Sequence, residues 1–166
     1  MNTALVVPEA AAGCPCGSAG PLQDAFRTDT RRYVRCPTCD LVFLYPRPAR
    51  EVVESYFREA YDGDYGEAES SDDRLPVFQS VLDHLSAYRT PPGALLDIGC
   101  GDGEFLALGR KAGWDCSGLE LSQRAAARAA RKGLTMLPPQ FLERGDANVR
   151  FDVVTLINVL ETVADP

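Results

Sequence analysis

Two groups of residues in this sequence have the types and spacing to do chemistry. The first is four cysteines in the opening quarter of the chain, Cys14 and Cys16 followed by Cys36 and Cys39. Cys36-Pro-Thr-Cys39 has the spacing of a knuckle, in which two thiolates on one tight turn share a metal ion. Cys14-Pro-Cys16 is one residue shorter than the usual pair, which tightens the turn but still allows both thiolates to reach one zinc. Four thiolates would close the coordination shell and leave no open position, so such a zinc is structural rather than catalytic. The competing reading is four reduced thiols in a poorly ordered segment, and at the level of sequence both stand.

The second group is Asp97, Gly99, Cys100, Gly101 and Gly103, in the run Leu96-Asp-Ile-Gly-Cys-Gly-Asp-Gly103, together with Glu120. A strand-like segment runs straight into the glycines and a helical pattern follows them. Glycines belong where the turn is tight and a ligand must approach the backbone. Glu120 falls at the tip of the next strand, and parallel sheets bind ligands beyond the carboxyl ends of their strands. Gly101 and Glu120 are therefore expected to face one crevice, with the Glu120 carboxylate accepting hydrogen bonds from both hydroxyls of a ribose. Asp97 separates two kinds of nucleotide. Asp97, Asp102 and Glu104 together would repel a pyrophosphate, which argues against a nicotinamide dinucleotide. S-adenosylmethionine (SAM) carries no phosphate and bears a positive sulfonium and an ammonium, so the charge favours it.

The elements that must position these groups follow from periodicity. Residues 94–98 are expected to form a strand, 104–112 a helix and 114–121 a second strand. Residues 122–132 form a further helix, with Ser122 as N-cap and Gly133 at its end. Phe151-Asp-Val-Val-Thr-Leu-Ile157 is a short β-branched run suited to a strand buried on both faces. This alternation predicts a parallel α/β sheet with helices on both faces. Upstream, residues 49–93 read as a helical linker region. It holds one apolar face over Val52, Val53, Tyr56, Phe57 and Ala60, an acidic loop over 62–73, and a helix beginning at Pro76. Residues 10–48 form a cysteine-rich module too polar to fold on apolar burial alone, closed by the strand-like Leu41-Val-Phe-Leu-Tyr-Pro-Arg-Pro48.

Three segments in order resemble the motifs of class I SAM-dependent methyltransferases, in the branch of the ubiquinone and sugar methyltransferases. Leu95-Leu-Asp-Ile-Gly-Cys-Gly-Asp-Gly-Glu-Phe105 is similar to the first motif and Gly118-Leu-Glu-Leu-Ser122 to the next. Phe151-Asp-Val-Val-Thr-Leu-Ile-Asn-Val-Leu-Glu161 is similar to that of the fourth strand. The resemblance implies a partial Rossmann-like core over 94–166, with Gly99 and Gly101 under the methionine part of SAM. It also implies Leu121 against the adenine, Glu120 on the ribose and Asn158 near the methionine end. Residues 10–48 resemble the zinc-binding, ribbon-like module that precedes some of these enzymes. The activity implied is methyl transfer to a small-molecule oxygen, nitrogen or carbon. A non-catalytic SAM-binding or protein-interaction module derived from such an enzyme is the alternative.

Two features depart from the family pattern. Relatives carry Glu-His after the fourth strand, where this chain has Glu161-Thr162, and His84, the single histidine, is the one candidate general base of that type. The chain stops at Pro166, where a relative would continue, so the sequence predicts an incomplete acceptor site. It also predicts self-association through an exposed strand at 151–157. The net charge of -7 argues against nucleic acid as a partner. No apolar run reaches membrane-spanning length and the start lacks a signal-peptide pattern, so a cytoplasmic location is expected.

Overall fold

A computed structural model describes residues 13–60, 71–144 and 148–163. Two compact units make up the chain: one holds the described residues up to Val53 with Glu161–Val163, and the other runs from Glu54 to Leu160. The loop expected at 62–73 lies largely outside the described residues.

The first unit contains a three-stranded antiparallel sheet, β1 (Gln23–Arg27), β2 (Arg32–Arg35) and β3 (Val42–Leu44), in the order β1-β2-β3. The strands of residues 23–35 are not anticipated in the sequence, because β1 is exposed along its whole length and shows no apolar alternation. Its interior is small: Val34 and Cys36 are fully buried, and Cys14 nearly so. The edge is held by an aromatic stack of Phe26 on Tyr33, with ring centroids 4.4 Å apart. Asp24 adds charge pairing to Arg27 and Arg32, and the Arg32 contact is the main reason its carboxyl lies below the ordinary range.

Helix α1 (Arg50–Ser55) continues into a π-helical turn at Tyr56–Ala60. Helix α2 (Ser71–Ser86) begins a turn earlier than expected and carries Pro76 in its interior. There proline forgoes one amide bond, near the helix start where the loss is smallest. Then follow β4 (Ala94–Ile98), α3 (Glu104–Lys111), β5 (Asp115–Leu119), α4 (Gln123–Arg131), β6 (Thr135–Leu137), the short α5 (Phe141–Arg144) and β7 (Val153–Thr155). The four strands form a parallel sheet in the order β6-β5-β4-β7, flanked by helices. β6 is too short to stand out in the sequence.

The core of this unit joins Phe78 and Leu82 of α2 to Phe105 and Leu106 of α3, around Leu95 of β4 and Trp114 ahead of β5. Phe78 and Phe105 meet at a centroid distance of 5.7 Å. β4 sits between β5 and β7, so the loop after it emerges among the carboxyl ends of three strands. Strand β7 is shorter than the 151–157 run expected. Asp152 turns its side chain onto the Ala94 amide at 2.9 Å while its own amide reaches the Ala94 carbonyl, closing the sheet there.

Candidate cofactor site and metal centre

Ile98 ends β4, and Gly99, Gly101 and Gly103 then turn the chain into α3, all with left-handed backbone (φ +71, +53 and +76). The three glycines answer to different constraints. A Cβ on Gly99 would come within 2.5 Å of Val159, in the turn after β7, and one on Gly103 would collide with Leu134 and press on Ala129. These two are required by packing. A Cβ on Gly101 meets nothing within 4 Å, so of the three it alone faces open space. A ligand brought against the loop has bare backbone to approach there.

Glu120, directly after β5, crosses to this loop. One carboxylate oxygen accepts the Gly101 amide at 2.8 Å and the other the Ser122 amide at 2.8 Å. A carboxylate has about four acceptor positions, so two remain for further donors such as hydroxyl groups. Ser122 caps α4 as its position suggests, its hydroxyl accepting the Ala125 amide at 3.2 Å, and Gly133 follows the helix with φ +74. Leu121, between them, is half-buried.

Asp97 lies inside β4, 3% exposed, and its partner is Thr155 of β7, whose hydroxyl donates to the carboxylate at 2.7 Å. Burial pushes the Asp97 carboxyl up to about 7; the Thr155 bond opposes the rise and the nearby Glu120 charge adds to it. Thr155, which the sequence marks only as part of a strand, is thus the hydrogen-bond partner of Asp97. Asn158, with φ +56, sits in the exposed turn after β7, next to the Val159 that packs on Gly99. Cys100 is buried beneath the loop and its thiol is raised to about 12, chiefly by burial, so it acts as packing. Asp102 and Glu104 are not bare charges: Arg128 pairs with the first and Arg74 with the second. His84 is exposed in the last turn of α2.

The four N-terminal cysteines converge. Their sulfurs all lie within 4.8 Å of one another, with Cys14 and Cys39 at 3.5 Å and Cys16 and Cys36 at 3.8 Å. Tetrahedral zinc with bonds of about 2.3 Å spaces its sulfurs about 3.8 Å apart, so the quartet fits that ion. Each close pair joins one turn to the other. Both turns end on a left-handed residue: Gly17, whose amide returns to the Cys14 carbonyl, and Asp40, whose amide returns to that of Cys36. Gly17 thus supplies the room that the shortened first knuckle needs. Backbone amides, Cys39 first, lower the Cys36 thiol to about 6, whereas burial raises Cys14 to about 12.

Residues 72–166, more than half of the chain, match the sequence pattern of the methyltransferase domain. The chain belongs to that family. No curated protein matches the sequence. Among solved structures, the chain is similar to magnesium protoporphyrin IX methyltransferase from Synechocystis PCC 6803, crystallised with SAH, at 21% identity and a TM-score of 0.52. That match covers 67% of this chain and 59% of the other. It is also similar to the plantazolicin methyltransferase BpumL, at 18% identity and a TM-score of 0.52, over 68% of this chain and 49% of that one. These likenesses establish a Rossmann-like methyltransferase fold, and the chain spans less than two thirds of the length of either protein. Of the expected site residues, the structure joins Gly101 to Glu120 by a hydrogen bond, and Asp97 lies within β4 on Thr155.

Proposed function

We propose that this chain binds SAM at the carboxyl ends of β4, β5 and β7 and belongs to an enzyme that methylates a small-molecule acceptor. The observation that carries the reading is Gly101: a left-handed glycine open to space, its amide tied to the carboxylate of Glu120. Glu120 holds the ribose hydroxyls with its remaining acceptor positions, and Leu121 lies against the adenine. Gly99, Cys100 and Gly103 shape the loop from beneath. Asp97 faces the ammonium end of the ligand from within the sheet, and Asn158 closes that end. The bound cofactor supplies a methyl group made electrophilic by a sulfonium. With SAM bound, the methyl would pass to a nucleophilic atom of the acceptor, the carbon–sulfur bond electrons staying on sulfur and the acceptor's proton going to solvent. Such a transfer depends chiefly on alignment, so the work of these residues is to hold one reactant still.

Isothermal calorimetry with SAM and with NADH tests the assignment. SAM is expected to bind and NADH not. Gly101→Val places a side chain in the open space and should abolish SAM uptake. Glu120→Ala should cost roughly 1.5–3 kcal/mol, the worth of charge-assisted hydrogen bonds. Equal SAM affinity in both variants and the parent overturns the site. Turnover against candidate acceptors then separates a catalyst from a non-catalytic SAM-binding module, the second reading that the Glu161-Thr162 pair favours.

The same reading includes one structural zinc on Cys14, Cys16, Cys36 and Cys39, supported by the sulfur spacing. Cysteines that serve as metal ligands rather than in disulfides fit a reducing compartment, so a cytoplasmic location belongs to the proposal. No helix among the described residues is long and apolar enough to cross a membrane. The acidic balance favours a small molecule over nucleic acid as the acceptor.

A further inference from the structure

Glycine-rich turns are costly to order, because glycine loses more backbone freedom than any other residue on folding. A loop that must present Gly101 to a ligand therefore needs to be held from outside itself. On one side the Gly99 and Cys100 amides reach the Leu119 carbonyl at 2.7 and 3.2 Å, and the Gly101 amide reaches Glu120. On the other side stands a single helix. Arg128 donates to one Asp102 carboxylate oxygen from Nε at 2.9 Å and lies 2.8 Å from it through Nη2. Lys132, one turn further on, donates to the Asp102 carbonyl at 2.8 Å. Ala129 lies between them and packs against Gly103. At the start of the same helix, the Ser122 amide binds the Glu120 carboxylate that holds Gly101. The contacts close a ring: Gly101 to Glu120, Glu120 to the first turn of α4, and the last turn of α4 back to Asp102.

We propose that Arg128 and Lys132 are positioning residues for the cofactor loop, fixing Asp102 so that Gly101 is held open for SAM. The consequence for SAM rests on the function proposed above; the tie itself does not. Arg128 and Asp102 are each about one third exposed, so the pair is partly shielded from water and its planar fork is held in place. Neither residue needs to touch the cofactor. Arg128→Ala removes both contacts to Asp102 and leaves the Ala129 packing intact.

Hydrogen–deuterium exchange of the peptide spanning residues 99–104, read without any ligand, tests the tie directly. Arg128→Ala and Lys132→Met should each raise exchange there, about tenfold for Arg128→Ala, while the strand amides of β4 stay protected. Arg128→Lys, which keeps the charge but loses the fork, should fall between. In the double variant with Asp102→Ala, the effect of Arg128→Ala should vanish, since the partner is gone. SAM affinity should follow the same order. Unchanged loop exchange in Arg128→Ala overturns the inference whether or not SAM binds. If the parent takes up no SAM but loop exchange rises as stated, the tie stands and the SAM reading falls. Should Arg128→Ala fail to fold, the Arg128→Lys and Lys132→Met comparison decides the matter by the same criterion.

Discussion

Asp97 has a buried carboxyl at the heart of a sheet, hydrogen-bonded by the Thr155 hydroxyl. Burial holds its pKa near 7, well above the usual carboxylate value of about 3.8. Because the folded-state value is raised, the folded protein keeps a proton that the unfolded chain has released, so stability falls as pH rises from about 4 to 7. Every tenfold weakening of a carboxyl's acidity corresponds to about 1.4 kcal/mol, so ionising Asp97 with no cation beside it is costly. A cationic ligand reverses that preference. SAM affinity should therefore rise roughly five- to tenfold between pH 6 and 7.5, in proportion to the ionised fraction, before the ligand's own ammonium begins to titrate. Asp97→Asn should flatten the pH profile, weaken SAM at pH 7.5, and raise the melting temperature of the ligand-free protein there. A profile with the same slope in both proteins would remove Asp97 from the site. Glu120 was legible in the sequence because its partner loop lies one strand–helix unit away, at a regular offset. Thr155 was not, since its partner is 58 residues distant and a threonine in a β-branched run looks like any other strand residue. The glycines show a related limit: the sequence pairs Gly101 with Glu120, but that Gly99 and Gly103 are required by packing depends on Val159, Leu134 and Ala129 further along the chain.

At the scale of elements, what could be read were those whose stability is local. Helix α4 announces itself by the Ser122 cap and Gly133, and β4 by an apolar run that ends on glycine. The strands β1 and β2 carry no such pattern, because little of their stability comes from burial. Among the described residues of their unit, Val34, Cys14 and Cys36 are buried, far too few side chains for a core of ordinary strength. In the function proposed above a zinc on the four sulfurs, which lie within 4.8 Å of one another, adds to the aromatic stack and ion pairs that hold these strands. Protein purified without chelator should contain one zinc per chain by elemental analysis. Cys36→Ser should lose it, and exchange should rise throughout residues 13–46 while residues 94–132 remain protected. A metal content near zero with β1 to β3 still protected would show that the sheet stands without zinc.

At the scale of the whole molecule, the two units are stabilised in opposite ways. One has a compact apolar core, and the other a cysteine cluster with a rim of ion pairs. The larger unit leaves a hydrophobic margin. Among the described residues β7 pairs with β4 alone, and Val154 is 50% exposed, Leu156 38% and Leu160 54%. A strand with one unpaired side and apolar groups facing water is a template for another strand. Little along it discourages pairing: Asp152 is already engaged with the Ala94 amide and with Arg89, which draws its charge back toward the start of β4. A second copy of the same strand is the simplest partner, since it brings an identical apolar margin and satisfies both rows of backbone groups at once. Light scattering of this chain across a concentration series should therefore show an average mass that rises with concentration. Val154→Lys puts a charge at the most exposed apolar position of the strand itself, where a paired neighbour would have to bury it, and should return the chain to a concentration-independent mass. The parent at constant monomer mass, with a high melting temperature, would mean that this margin is tolerated in water, and the self-association would be ruled out.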